Sequence, residues 1–163
     1  MRLAIDLDDI DRQIVDQLLA EGRRTLADIG KAVGLSAPAV KRRLDRLEET
    51  EVILGYTAQV DHAKLGRPIE AFTELRFAGK TKVAEIASVA TDLPEVVAVH
   101  TIAGDPDALV HLRVRDVADL TRVIDLLRRS GKVTGTKTLI VLASDTKETR
   151  GRRAAEVPGS NPP

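Results

Sequence analysis

The chain has no cysteine and no tryptophan, and one Tyr and two Phe bring its aromatic content to only 2%. Without cysteine there are no disulfides, thiolate metal sites or cysteine nucleophiles, which goes with a reducing compartment. So few aromatics leave almost nothing for splayed bases to stack on, which argues against binding single-stranded DNA or RNA. Long apolar runs are missing too. No window approaches the roughly 20 apolar residues that span a bilayer, and the N-terminus MRLAIDLDDIDRQ is too acidic for a secretory signal. A cytoplasmic protein that meets no membrane is expected. Excess charge is also absent, because Lys plus Arg equals Asp plus Glu at 25 each. Any affinity for nucleic acid must therefore reside in a local patch.

What is present is a chain of 163 residues, 43% of them hydrophobic, enough for one ordinary domain or two small ones. Its charge is polarised. Residues 1–22 carry an acidic excess of four, whereas residues 23–46 carry a basic excess of five. The apolar period explains where those charges sit. LDDIDRQIVDQLLAEG places Leu7, Ile10, Ile14, Val15, Leu18 and Leu19 at helical spacing, with acids at its start to suit the helix dipole and Gly22 after its end. TLADIGKAVG predicts a short second helix with Thr25 as N-cap, Leu26, Ile29 and Val33 on one face, and Gly34 as its stop.

LSAPAVKRRLDRLEE predicts the third helix, with Ser36 as N-cap and Pro38 in the first turn, where a missing N–H costs no hydrogen bond. Val40, Leu44 and Leu47 share its apolar face. Arg42, Asp45 and Arg46 then point away, with Lys41 and Arg43 on the flanks. Only GLS joins helices two and three, the spacing of a helix-turn-helix. A solvated charged face would not need this geometry, so the basic helix is expected in the major groove of duplex DNA, with Ala37, Pro38 and Ala39 read equally as apolar contacts for thymine methyls or simply as a favourable first turn. VILGYTAQV, weakly alternating, reads as a strand serving as a wing or pairing element.

From Pro68 the period changes. IEAFTELRF reads as a strand, KVAEIASVATDL as a helix, EVVAVHTIA and ALVHLRV as strands, VADLTRVIDLLRRS as a helix and KTLIVLA as a buried strand. In ALVHLRV, Val110, Leu112 and Val114 alternate with His111 and Arg113. The order is β-α-β-β-α-β, the ferredoxin-like pattern with helices on one face of an antiparallel sheet. The other face needs a cover, and a second copy of the sheet is expected to supply it. The last stretch, SDTKETRGRRAAEVPGSNPP, lacks apolar periodicity and reads as a disordered tail, in which Arg150, Arg152 and Arg153 are solvated. The domains expected are residues 1–51 for DNA binding, 52–67 as linker, 68–144 as sensing and assembly domain, and 145–163 as tail.

Five ordered segments, LDDIDRQIVDQLLAEGR, LADIGKAVGLSAPAVKRRLDRLEE, VILGYTAQVDHAKLG, IAGDPDALVHLRV and VTGTKTLIVL, make the chain similar to regulators of the leucine-responsive/asparagine (Lrp/AsnC, feast/famine) family over about residues 7–145. The resemblance implies an α+β protein: an N-terminal winged or plain helix-turn-helix, a strand linker and a βαββαβ domain. It also implies dimers that assemble into tetramers or octamers, with amino-acid effectors bound between subunits. By position, the resemblance assigns Ser36, Arg42, Arg43 and Arg46 to the recognition helix, and with Thr25, Pro38, Ala39 and Lys41 these make up the expected DNA-binding set. Gly104, Asp105 and Asp107 of GDPD match the family's G-x-x-D effector loop, and Thr134, Thr136 and Thr138 fall in the strand that borders it. In such a loop an Asp can pair with the effector's ammonium, while backbone N–H groups turned by Gly meet its carboxylate. Two residues depart from the family pattern: Glu51 stands where Gly is usual after the third helix, and Pro106 where an aromatic is common in the loop.

The expected function is a transcriptional regulator that binds double-stranded DNA under control of a small molecule, without cofactor or metal. One alternative is an architectural DNA organiser that needs no ligand. Another is an enzyme like the sirohaem decarboxylases, which resemble the family's fold. His62, His100 and His111 are the only histidines, and none belongs to a nucleophile motif, a phosphate loop or a metal-ligand spacing.

Overall fold

The computed structural model describes residues 6–79, 81, 85, 88, 90–129 and 131–144. Half of the residues of the expected helix over 82–93 and the whole expected tail, with Arg150, Arg152 and Arg153, lie outside these. The chain divides into two compact units, Met1–Val60 and Asp61–Pro163.

Three helices build the first unit: α1 (Asp9–Ala20), α2 (Leu26–Val33) and α3 (Ala37–Glu49). Asp8 caps α1, its carboxylate accepting from the Asp11 N–H at 2.8 Å. Thr25 caps α2 through its hydroxyl oxygen, and Gly34 ends it in the left-handed conformation at φ 70°. Ile14, Ile29, Val40, Leu44 and Leu47 form the buried core, with Leu7, Ile10, Val15, Leu18, Leu26 and Val33 packed around it. Two positions in α1 depart from the apolar pattern. Leu19, grouped by period with the core, is 75% exposed, while Asp11 is fully buried.

The strand expected from VILGYTAQV does not form among the described residues. Val52 and Ile53 turn back to pack on the core, both N–H groups bonding to the Leu47 carbonyl at 2.9 Å. Beyond them, residues 54–60 form no strand, and Leu54, Tyr56 and Val60 are exposed. A strand needs a neighbour to satisfy its backbone, and this unit offers none. Glu51 answers the question raised by its missing glycine. It takes the left-handed conformation at φ 57°, its N–H bonding to Glu48 O at 3.0 Å while the Val52 N–H reaches Leu47 O, which closes a Schellman motif.

The second unit is a four-stranded antiparallel sheet made of β1 (Ile69–Phe77), β2 (Val96–Thr101), β3 (Ala108–Val114) and β4 (Val133–Ile140), in the order β2-β3-β1-β4. Helix α4 (Val117–Arg129) lies on one face. There Ala71, Leu75, Val110, Leu112 and Val114 meet Leu120, Val123 and Leu127, each fully buried aliphatic side chain contributing about 1.5–3 kcal/mol. The alternation read in ALVHLRV is seen directly in the burial of β3. β4 differs from expectation. It begins at Val133 and ends at Ile140, and it is not buried: Leu139 and Ile140 are each 47% exposed. The cause is its place at the sheet edge, paired with β1 alone, so that an apolar run that reads as a core strand has only one neighbour.

Asp119 organises the start of α4. It is buried, its N–H is capped by Asp116 at 2.7 Å, and it holds Arg115 at 3.3 Å and Arg122 at 2.8 Å. Hydrogen bonds first from Arg115 and then from Arg122 hold its carboxyl far below the ordinary 3.8. A carboxylate depressed in the folded state stabilises it above the unfolded pKa and loses that effect as pH falls. Unfolding of the second unit followed by circular dichroism should therefore show stability falling as pH drops below about 4, and Asp119→Asn should flatten that fall. Replacing Glu51 by Gly removes the left-handed strain, for an expected gain of about 0.5–1 kcal/mol read by urea unfolding of the first unit.

Candidate nucleic-acid interface and effector loop

The turn between α2 and α3 depends on a close approach that no motif announced. A Cβ built on Gly30 would lie 2.5 Å from the Leu35 carbonyl oxygen, and the Leu35 N–H bonds to Gly30 O at 2.9 Å. Any side chain at Gly30 would push α3 away from α2. Of the residues expected to touch DNA, Thr25 both caps α2 and donates its hydroxyl to Asp28 at 2.6 Å. Ser36 stands at the N-cap of α3 but makes no side-chain cap bond, so its hydroxyl is exposed, beside exposed Pro38 and half-buried Ala39. A phosphate or base edge can reach all three.

The four cations of α3 are not equivalent. Lys41 bridges to Asp45 at 2.8 Å, one turn along, which raises its pKa. Arg43 donates to Asp8 at 2.7 Å and Asp11 at 2.8 Å, and Arg46 pairs with the other oxygen of Asp11. Asp8 is correspondingly lowered below its ordinary value, first by the Asp11 N–H and then by Arg43. Among the four cations of α3, Arg42 is the exposed one that makes no ion pair. The helical wheel had placed Arg46 pointing free. Instead, two of the four guanidinium and ammonium groups cross to the acids of α1, a contact that the period of one helix cannot reveal.

In the second unit Gly104, Asp105, Pro106 and Asp107 form the tight connection from β2 to β3. Asp105 accepts from Arg76 Nε at 2.7 Å, and Thr134 donates to the Arg76 carbonyl at 3.1 Å. Asp107 is tied to the β1 end: Oδ2 accepts from the Phe77 N–H at 2.8 Å, and its own N–H reaches Leu75 O. Asp105, Asp107 and Thr134 therefore converge on residues 75–77. Thr136 and Thr138 do not join them. Thr136 pairs with Leu75 and takes two hydrogen bonds from Arg128 of α4, while Thr138 meets buried Thr73 at 3.0 Å, so both face the helix layer. Arg76 was missed by sequence reasoning, its one signal being a cation in a strand of otherwise alternating burial.

The face of the sheet away from α4 is lined with charges. Glu70 bonds His111 and Arg113 at 2.7 Å each, His111 stacks on Phe72 with centroids 4.6 Å apart, and Glu74 meets Lys137 at 3.3 Å. His62 is half-buried and His100 exposed. Among the described residues no cluster of His, Asp or Glu suits a metal ion, and no helix is long and apolar enough to cross a membrane.

Residues 7–48 match the AsnC-type helix-turn-helix domain and residues 70–151 the Lrp/AsnC ligand binding domain. The chain belongs to the Lrp/AsnC family. It is 37% identical over 138 residues to the HTH-type transcriptional regulator Rv2324 of Mycobacterium tuberculosis, covering 85% of this chain and 93% of that protein. It is also 37% identical over 137 residues to the HTH-type transcriptional regulator FL11 of Pyrococcus furiosus, covering 83% and 89%. Among solved structures, the transcriptional regulator NMB0573 of Neisseria meningitidis in complex with L-Met superimposes with a TM-score of 0.79 at 26% identity, covering 88% of this chain and 96% of that one. This family member is a helix-turn-helix transcriptional regulator and not an enzyme.

Gly30→Ala tests the turn on which the interface depends. The added methyl group should cost about 1–3 kcal/mol in thermal unfolding of the first unit and weaken DNA retention in gel shifts.

Proposed function

We propose that the regulator reads duplex DNA through the front and outer surface of α3 and that its binding or assembly responds to an amino acid held near the loop at residues 104–107. The arrangement that carries this reading is the short α2, the turn closed on Gly30 and the exposed side chains of Ser36, Pro38, Lys41 and Arg42, the size and shape of an element that enters a major groove. Ser36, Pro38, Ala39 and Arg42 stand at the front, with Thr25 at the phosphate side and Lys41 on the flank, while Arg43 and Arg46 are tied to the acids of α1.

For the effector, the Arg76 and Asp105 pair at the rim of the sheet presents both signs of charge at one place. A free α-amino acid is a zwitterion, and its carboxylate and ammonium match a guanidinium and a carboxylate set side by side. Gly104 and Thr134 border the same spot, whereas Asp107 is committed to the β1 backbone and supports the loop. The relative solved with L-Met lends weight to an amino-acid class. Self-association goes with this reading, at least as a dimer and by the family's pattern as tetramers or octamers. The charged sheet face is the surface offered to a second copy. A cytoplasmic location, where DNA and free amino acids meet, fits as well.

Selection of DNA fragments from a random pool, followed by gel shifts, should yield a preferred duplex that Arg42→Ala binds about 1–3 kcal/mol more weakly. One of the proteinogenic amino acids should raise the thermal midpoint of the chain and change its affinity for that duplex, the two effects being linked. Asp105→Ala should abolish both while leaving basal DNA binding intact. A full set of amino acids without effect on either readout would favour the ligand-free organiser.

A further inference from the structure

The acids of α1 and the bases of α3 are blocks of opposite charge that cancel across the first unit. Asp11 is fully buried and sits between two guanidinium groups, and Asp8 adds a second carboxylate to Arg43. For Arg43 or Arg46 to swing to a phosphate, each would have to leave Asp11 as a buried charge with fewer partners, which is unfavourable. Lys41 is likewise engaged with Asp45, although that pair is exposed and easily exchanged. Arg42 has no such tie.

We infer that Asp8 and Asp11 are specificity-determining residues of the DNA-binding unit: they hold Arg43 and Arg46 against α1 and leave Arg42 as the guanidinium of α3 that meets the duplex. The inference rests on the DNA-binding reading above and narrows it. Electrostatic affinity for any DNA grows with the number of phosphates that free cations neutralise. Cuffing two of them lowers this sequence-blind component and makes retention depend more on contacts to base edges. A protein of zero net charge that carries four cations on one helix thereby avoids adhering to every duplex.

The salt dependence of binding measures this directly, because each phosphate contact contributes about 0.9 to the slope of log affinity against log salt, or roughly eightfold in affinity between about 1 M and 0.1 M. A fluorescently labelled random-sequence duplex is titrated with full-length protein over a salt series, and thermal midpoints are recorded alongside. Arg42→Gln should lower the slope by about 0.9 per protomer. Arg43→Gln and Arg46→Gln should leave the slope unchanged while lowering the midpoint. Asp8→Asn retains the helix cap, since Asn caps as well as Asp, and removes only the charge. It should steepen the slope and tighten random-duplex binding severalfold, and D8N/D11N should do so further.

The inference is overturned if either Arg43→Gln or Arg46→Gln flattens the slope as much as Arg42→Gln, or if Asp8→Asn leaves slope and affinity at the wild-type values. Should a variant at Asp11, Arg43 or Arg46 fail to fold, Asp8→Asn decides alone. A wild-type chain that binds no duplex at low salt would overturn the DNA-binding reading and this inference together, whereas the outcomes above overturn the inference only.

Discussion

A single buried carboxylate constrains the helical unit. Asp11 lies where α1 crosses α3, with no exposure to water, and a charge in that position is tolerable only when it is paired. Its partners, Arg43 and Arg46, fix the azimuth of α3 about its own axis, and that azimuth selects which side chains remain outside. The short contact at Gly30 fixes the second degree of freedom, the approach of α2 to the turn. With both set, Ser36, Pro38 and Arg42 remain on the exposed side of the turn and of α3.

The second unit solves a different problem with similar means. Its helix-facing side is built on an aliphatic cluster, while the opposite side is lined by Glu70 with His111 and Arg113 and by Glu74 with Lys137. Pairing those charges within the sheet makes a face that water tolerates and that a complementary surface can cover without stranding an ion. At the rim, Arg76 and Asp105 stand together at the β2–β3 connection, so the loop that holds the candidate effector residues is anchored to the central strand β1.

Much of this architecture was legible in the chain itself. Helix boundaries followed from apolar period and caps at Thr25 and Gly34, and β3 from strict alternation, because these depend on residues a few positions apart. The helix-turn-helix spacing and the GDPD loop were equally local. What misled was also local. Leu19 has the right period but no helix above it, KTLIVLA is apolar enough for a core yet lies at an edge, and VILGYTAQV alternates without a neighbouring strand to pair with. In the candidate sites, Thr136 and Thr138 alternate with other residues of β4 and thus face the helix layer, whereas Thr134, beside a bulge in the pairing, turns to Arg76.

The sequence by itself determined the class of protein, the order of its elements and the sorting of acid and base into adjoining segments, because hydrophobic period, capping and charge are properties of short stretches. Only the tertiary structure decided which of those charges cancel. Asp11 meets Arg43 and Arg46 across more than thirty residues of chain, and Coulomb attraction depends on distance in space, which spacing along one helix does not encode.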